Sequence, residues 1–167
     1  MENSFLKVLL IICFICFSSA AENISEILND ECLRCICMGT SFCNTTFKCT
    51  SYGDEGSKPA CGPFQITEPY WEEAGKPGGD FISCVTSMNC SKTAMTTNMA
   101  VSARDCDGDD KVTCSDIARI HMAGAKGCHE PWVTLHLFWE IFEDCNTEAG
   151  TEPPQDFAET RALLRGN

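Results

Sequence analysis

Between Cys32 and Ile66 the chain packs six cysteines into CLRCICMGTSFCNTTFKCTSYGDEGSKPACGPFQI, which also carries an acidic pair, Asp54-Glu55. A carboxylate held on a rigid frame can serve as general acid, general base or nucleophile. So dense a set of cysteines leaves little apolar material for a core, so the stretch reads as a stapled loop region pinned to something else. In an exported protein such loops are where sites are built. On spacing alone, Asp54 reads equally well as the turn residue before Gly56.

Other groups could do chemistry further along. Tyr70, Trp71 and Trp132 are candidates for stacking on sugar rings, although each reads better as core. Asp105, Asp107 and Asp109 alternate, with Asp116 at the twelfth place counted from Asp105. A calcium loop of the EF-hand type wants Gly at the sixth place and Glu at the twelfth. Asp110 and Asp116 stand there, so a solvated acidic loop is expected and no metal or other cofactor is assigned. The histidines, His121, His129 and His136, all come late, and the cysteine spacings are not those of a zinc finger.

The bulk numbers say what must hold these groups. The 167 residues, 44% of them hydrophobic, suit one compact domain with extensions. Lys7, the apolar run Val8 to Phe17 and the small residues Ser18 to Ala21 form a signal peptide over residues 1–21. That run is shorter than the roughly 20 apolar residues needed to span a bilayer. Secretion to the extracellular space is therefore expected. Removing Cys13 and Cys16 from the 14 cysteines leaves 14 − 2 = 12, an even number that implies about six disulfides. Short local bridges Cys37–Cys43, Cys49–Cys61 and Cys84–Cys90 fit the spacing. Sequons at Asn23, Asn44 and Asn89 offer acceptors for N-glycans, Asn44 and Asn89 lying within the cysteine-anchored part. A net charge of −12, unchanged when Lys7 and Glu2 leave together, excludes nucleic acid or an anionic membrane as an electrostatic partner.

The positioning elements are mostly helices. Ser25 is expected to cap a helix running into the first cysteines, with loops and a small hairpin from Gly39 to Pro59. Phe64 to Thr67 reads as a short strand or extended segment. A short helix opens at Glu68-Pro69 and ends near Gly75. Another spans Asp80 to about Ser87, and a longer one, capped by Ser91, reaches about Arg104. Thr113 and Asp116 form a capping box for a helix closing near Gly124. The last core helix is expected from about Trp132 to Asp144, with Trp132, Leu135, Trp139 and Phe142 on its apolar stripe. Residues 146–167 read as a polar tail.

CLRCIC (32–37), CGPFQI (61–66), PYW (69–71), GKPGG (75–79), ARIH (118–121) and GC (127–128) resemble, in this order, the invertebrate-type lysozymes, and most of all their destabilase-like branch. The resemblance covers Cys32 to Cys145 and places one lysozyme-like domain over residues 22–145. It implies an α+β, mostly helical, disulfide-rich fold with a loop-and-hairpin lobe facing a helical lobe. It further implies the long-range bridges Cys32–Cys114, Cys35–Cys145 and Cys106–Cys128. Two cysteine positions of the family are occupied by Ala74 and Ala94, as if the two halves of one bridge had been lost together.

The family's chemistry is hydrolysis of peptidoglycan strands, which takes one protonated carboxylic acid and one carboxylate nucleophile. Where the family writes C-I-C-x-x-E-S-G-C, this chain has Thr40 in place of the acid. Asp54 matches the nucleophile position and Ser57 a serine credited in some relatives with isopeptide hydrolysis. The lysine that would activate that serine is Thr67 here. Glu31, Glu55 and Glu68 lie nearby in sequence, but none stands at the acid position. Tyr70 and His121 match positions expected to bind substrate, His121 more as a brace for its helix end than as a base. Where the family has H-N-G-G-P-x-G-C, this chain reads His121 to Cys128 without the Asn or the Pro. The resemblance thus implies a secreted protein directed at bacterial cell-wall glycan, with muramidase activity weakened or lost. Two alternatives stand beside it: an active lysozyme of defence or digestion using another acid, and a stapled module binding another glycan or a protein.

Overall fold

The computed structural model describes residues 24–46, 49–51 and 58–149. Asp54, Glu55 and Ser57, residues 1–23 with the expected signal peptide, and residues 150–167 lie outside the described residues. What is described is an α+β fold, mostly helical, with one two-stranded sheet. Among the described residues no helix is long and apolar enough to cross a membrane.

Helix α1 spans Asp30–Ser41. Its cap is Asn29, whose Oδ1 accepts from the backbone N–H groups of Glu31 (3.1 Å) and Cys32 (2.9 Å). Asp30 and Glu31 then place negative charge against the positive end of the helix dipole. The expected single helix from Ser25 is thus corrected: residues 24–27 form a separate helical turn before the Asn29 cap. A second correction concerns Gly39, where loops were expected to begin. The helix continues through it, because a Cβ there would lie 2.8 Å from the Phe138 ring and carbonyl. Glycine lets helix α6, Leu137–Ala149, press against α1. The two run antiparallel, since Gly39 meets Phe138 while Cys35 is bonded to Cys145.

Strands β1 (Ala60–Cys61) and β2 (Ile66–Thr67) pair antiparallel, Ala60 opposite Thr67 and Cys61 opposite Ile66. Gly62 opens the turn between them with φ +74, and a Cβ there would fall 1.8 Å from the Val85 carbonyl oxygen. Gly62→Ala combines a left-handed backbone with a clash against main chain. It is expected to cost more than about 4 kcal/mol and to show as loss of the cooperative thermal transition.

Thr67 caps α2 (Glu68–Glu73) and Asp80 caps α3 (Phe81–Val85), both by side-chain oxygens accepting backbone N–H. Helix α4 covers Met88–Ser102 and begins after Ser87 rather than at Ser91. Ser91 is buried inside the first turn with its hydroxyl donating to the Met88 carbonyl, so it cannot serve as the cap. Helix α5 covers Cys114–Gly127 behind the Thr113/Asp116 capping box and breaks at Gly124 (φ 70), where the sequence places its end.

The last element departs from expectation most. Pro131–Leu135 forms a 3-10 turn, and His136 is extended before α6 starts at Leu137. A stripe laid out at 3.6 residues per turn does not carry through a turn of 3.0. Trp132 is therefore 47% exposed and Leu135 84% exposed, while Val133, Phe138, Trp139 and Phe142 fill the core. Helix α6 also runs past Cys145 to Ala149, beyond the start expected for the tail.

The twelve cysteines of residues 24–149 form six bridges: Cys32–Cys114, Cys35–Cys145, Cys37–Cys43, Cys49–Cys61, Cys84–Cys90 and Cys106–Cys128. Ala74 and Ala94, where a further bridge is expected in the family, are both buried.

Candidate active-site cleft

The hairpin turn links the end of α1 to α5. Its Pro63 carbonyl accepts from the hydroxyls of Thr40 and Ser41, both at 2.7 Å, which ties down the end of α1. Its Phe64 carbonyl lies 2.9 Å from Nε2 of His121, which ties down α5. Thr40 also reaches the Ile36 and Cys37 carbonyls of its own helix, each at 3.1 Å. Every partner of that hydroxyl is a carbonyl oxygen, so its proton is committed to the main chain and has no route to a leaving group.

His121 completes a different arrangement. With the Phe64 carbonyl as its partner, Nε2 must carry the proton, and Nδ1 is left as an acceptor. That Nδ1 is buried without a partner among the described residues. Burial pushes the imidazole down to about 4, against the opposing pull of the Phe64 carbonyl, so His121 is neutral at physiological pH. Tyr70 stands edge-on to it, with ring centroids 6.0 Å apart. Its hydroxyl is likewise buried without a partner among the described residues. Burial, reinforced by the Glu73 carboxylate, raises the phenol well above its ordinary range. Both rings line a cavity of about 330 Å³ together with Thr67, Glu73, Asn98 and Ser102.

The structure thus brings Tyr70, His121 and Thr67 to one cavity, whose lining does not include Thr40; Thr40 holds the neighbouring Pro63 carbonyl instead. Thr67, at the expected lysine position, uses its hydroxyl to cap α2. Glu31 is ruled out as a substitute acid by distance: nine residues of helix separate it from Thr40, roughly 14 Å. Glu68 is exposed and pairs with Lys58 at 3.6 Å. Of the stacking candidates, Trp71 is core, its Nε1–H donating to the Pro77 carbonyl at 2.9 Å, whereas Trp132 is exposed away from the core.

Sequence reasoning missed Glu73, Asn98 and Ser102. The last two show the four-residue spacing of one helix face, which is visible but unremarkable in a sequence. Asn98 is buried, with its Nδ2 at 3.4 Å from Glu73 Oε2 and 3.5 Å from the Tyr70 carbonyl. The acidic loop brings the Asp105, Asp107 and Asp109 carboxylates within 4.8 Å of one another. Two of the three serve their own main chain: Asp105 accepts from the N–H groups of Gly108 (2.7 Å) and Asp110 (2.9 Å), and Asp109 from that of Lys111 (2.9 Å). The Gly108 amide, first among these, holds Asp105 below the usual carboxylate range. Asn44 and Asn89, the expected glycan acceptors, are exposed.

The neutral, half-buried His121 has a consequence for stability. Between pH 6.5 and about 4, an unfolded chain takes up a proton at residue 121 that the folded chain refuses. Stability should therefore fall as pH drops through that window, by about 2–3 kcal/mol after discounting for the partial exposure of the residue. The carboxylates of Asp30, Glu72, Asp80 and Asp105 are shifted down and begin to give up their contribution as pH falls through their ordinary values of 3.8 to 4.5, alike in the wild type and in a residue-121 variant. Urea midpoints at pH 7 and pH 4 should show the loss in the wild type. In His121→Gln most of it should be absent.

The site geometry can be set beside known proteins. The Destabilase family model matches residues 29–145. A lysozyme of Magallana gigas is 35% identical over 128 residues, covering 73% of this chain and 85% of that protein. An invertebrate-type lysozyme of Ruditapes philippinarum is 36% identical over 118 residues, covering 70% and 80%. The crystal structure of an inhibitor-bound lysozyme from Meretrix lusoria superposes with a TM-score of 0.59 at 28% identity, covering 74% of this chain and 95% of that one. With the model match across the whole disulfide-bonded part, these relatives share the α+β frame, and the chain belongs to the destabilase family of invertebrate-type lysozymes.

Proposed function

We propose that this is a secreted lysozyme-family protein that binds bacterial peptidoglycan while its muramidase chemistry is weakened or lost. One observation carries the reading. The position of the general acid is Thr40, and its hydroxyl is spent on the Pro63 carbonyl at 2.7 Å. General acid catalysis contributes roughly 10²–10⁴-fold, and a threonine hydroxyl cannot supply it. Asp54 keeps the nucleophile position and lies outside the described residues. Ser57, also outside them, has no lysine at Thr67 to activate it, and a neutral His121 whose Nε2 is engaged by the Phe64 carbonyl is a poor replacement base. The aromatic and polar cavity beside the cleft is what a glycan binder retains.

Two measurements on the mature protein test the reading together. It should be retained on insoluble peptidoglycan, and it should clear a suspension of bacterial cell walls far more slowly than an ordinary lysozyme. Lysis at ordinary rates would sink the loss of chemistry and point to an acid other than residue 40. No retention would sink the glycan and favour a protein partner.

A further inference from the structure

The sequence offers Asn44 and Asn89 alike as N-glycan acceptors, and exposure does not choose between them, since both are exposed. Their surroundings do. An Asn-x-Ser/Thr acceptor needs its amide on an accessible surface segment, with the hydroxyl of the third residue turned toward it. Asn44-Thr45-Thr46 lies in the turn after α1, and all three residues are exposed. The Thr46 hydroxyl donates to Asn44 Oδ1 at 2.7 Å and the Thr46 N–H donates to the same oxygen at 2.9 Å, an Asx-turn. Both bonds fall on Oδ1. The Nδ2 amide, which is the atom that takes a sugar, is therefore not used in holding the turn.

Asn89-Cys90-Ser91 is the opposite case. It lies in the first turn of α4, and the Asn89 carbonyl accepts from the Thr93 hydroxyl at 3.1 Å. Cys90 is bonded to Cys84, six residues before it, and so short a loop closes early in folding. Ser91 is fully buried, with its hydroxyl donating to the Met88 carbonyl at 3.1 Å rather than to Asn89. Once the bridge and the helical turn have formed, the hydroxyl that the acceptor needs is withdrawn from it.

We infer that Asn44 carries an N-glycan and that Asn89 is left bare, because closure of Cys84–Cys90 takes its acceptor out of use. The inference rests on the export that is part of the reading above. The co-reactant is a lipid diphosphate-linked oligosaccharide of the secretory pathway. A bond forms between Asn44 Nδ2 and the anomeric carbon of its first sugar, and the bond from that carbon to the diphosphate oxygen breaks. The lipid diphosphate leaves with the electron pair, and one amide proton passes to a base of the transferase.

The test is expression of the full-length chain in cultured insect cells, with Asn23→Gln removing the one acceptor that lies outside the described residues. Cell-associated and secreted protein are both treated with peptide N-glycanase, so a variant that folds poorly is still read. A single mobility step is expected. Asn44→Gln and Thr46→Val should abolish it, whereas Thr46→Ser, which keeps the hydroxyl, and Asn89→Gln should retain it. Cys84→Ala with Cys90→Ala should add a second step, which Asn89→Gln then removes. Two steps in the parent chain, a step that survives Asn44→Gln, or no second step in the double cysteine variant would overturn the inference. Secreted protein without any step would overturn it and leave export standing. A chain that never enters the secretory pathway would overturn both.

Discussion

Thr40→Glu is expected to turn a protein that scarcely clears a suspension of bacterial cell walls into one that does, with a rate gain of about 10²–10⁴-fold. The surroundings of residue 40 suit an acid. The Ile36, Cys37 and Pro63 carbonyl oxygens all lie within 3.1 Å of the present hydroxyl. Carbonyl oxygens so close by disfavour a carboxylate, so a glutamate placed there, whose longer side chain carries its carboxyl beyond them, should titrate high and stay protonated into the range where it must act. The position tolerates the change. Ser41 continues to donate to the Pro63 carbonyl at 2.7 Å, so the substitution forfeits about 1 kcal/mol of hydrogen bonding without orphaning that oxygen. Gly39 and Phe138 hold the end of α1 in place beneath it. Thr40→Gln should remain inactive, since it has the size of glutamate and no acidic proton. Thr40→Glu combined with Asp54→Asn should be inactive as well. The gained activity should decline as pH rises through the pKa of the new acid. A folded Thr40→Glu protein that still fails to lyse would show that more than the acid has been lost from the cleft.

How much of this could be read from the chain depended on the range of the interaction. Caps and short bridges are local. Thr113 and Asp116 show their capping box in four residues, and Cys37 and Cys43, six apart, can meet across a single helix end. Cys35 and Cys145, 110 residues apart, meet only because α1 and α6 pack antiparallel, and no spacing rule carries that; the family resemblance did. The stripe from Trp132 to Phe142 failed because its period looked continuous, while proline at 131 and the extended His136 split it into a 3-10 turn and an α-helix. Phe42 shows the opposite case. The family writes glycine there, and the helix still ends in a left-handed residue (φ 54) although the glycine is gone. The site was half legible. Substitution at Thr40 and Thr67 is visible in a motif, whereas Glu73 entered only when α2 was folded against α4 and placed its carboxylate at the cavity.

Removing one bridge should reveal how the scaffold holds that site. Cys35→Ala with Cys145→Ala is expected to cost about 3–4 kcal/mol and to lower the melting temperature by about 10–15 °C. The sequence separation of 110 overstates the loop. With Cys32–Cys114 and Cys106–Cys128 intact, the unfolded chain already has a short route: 35 − 32 = 3 residues to Cys32, across to Cys114, 114 − 106 = 8 back to Cys106, across to Cys128, then 145 − 128 = 17 to Cys145. A loop of about 28 residues closes at a cost of roughly 3.6 kcal/mol in the chain-entropy description, against roughly 4.8 for the full separation. Cys37→Ala with Cys43→Ala closes a loop of 6 and should cost only about 2 kcal/mol. The two double variants therefore separate loop entropy from the mere loss of sulfur. Their functional readouts should differ too. Cys35 and Cys145 fasten α1 to α6 along the face where Phe138 meets Gly39, one residue before Thr40. Loosening that contact should cost a Thr40→Glu background most of its gained lysis even at temperatures where the protein is folded. Retention on insoluble peptidoglycan should be spared. Equal destabilisation by the two double variants, or a gained lysis indifferent to the Cys35–Cys145 bridge, would mean that α1 is held by its packing alone.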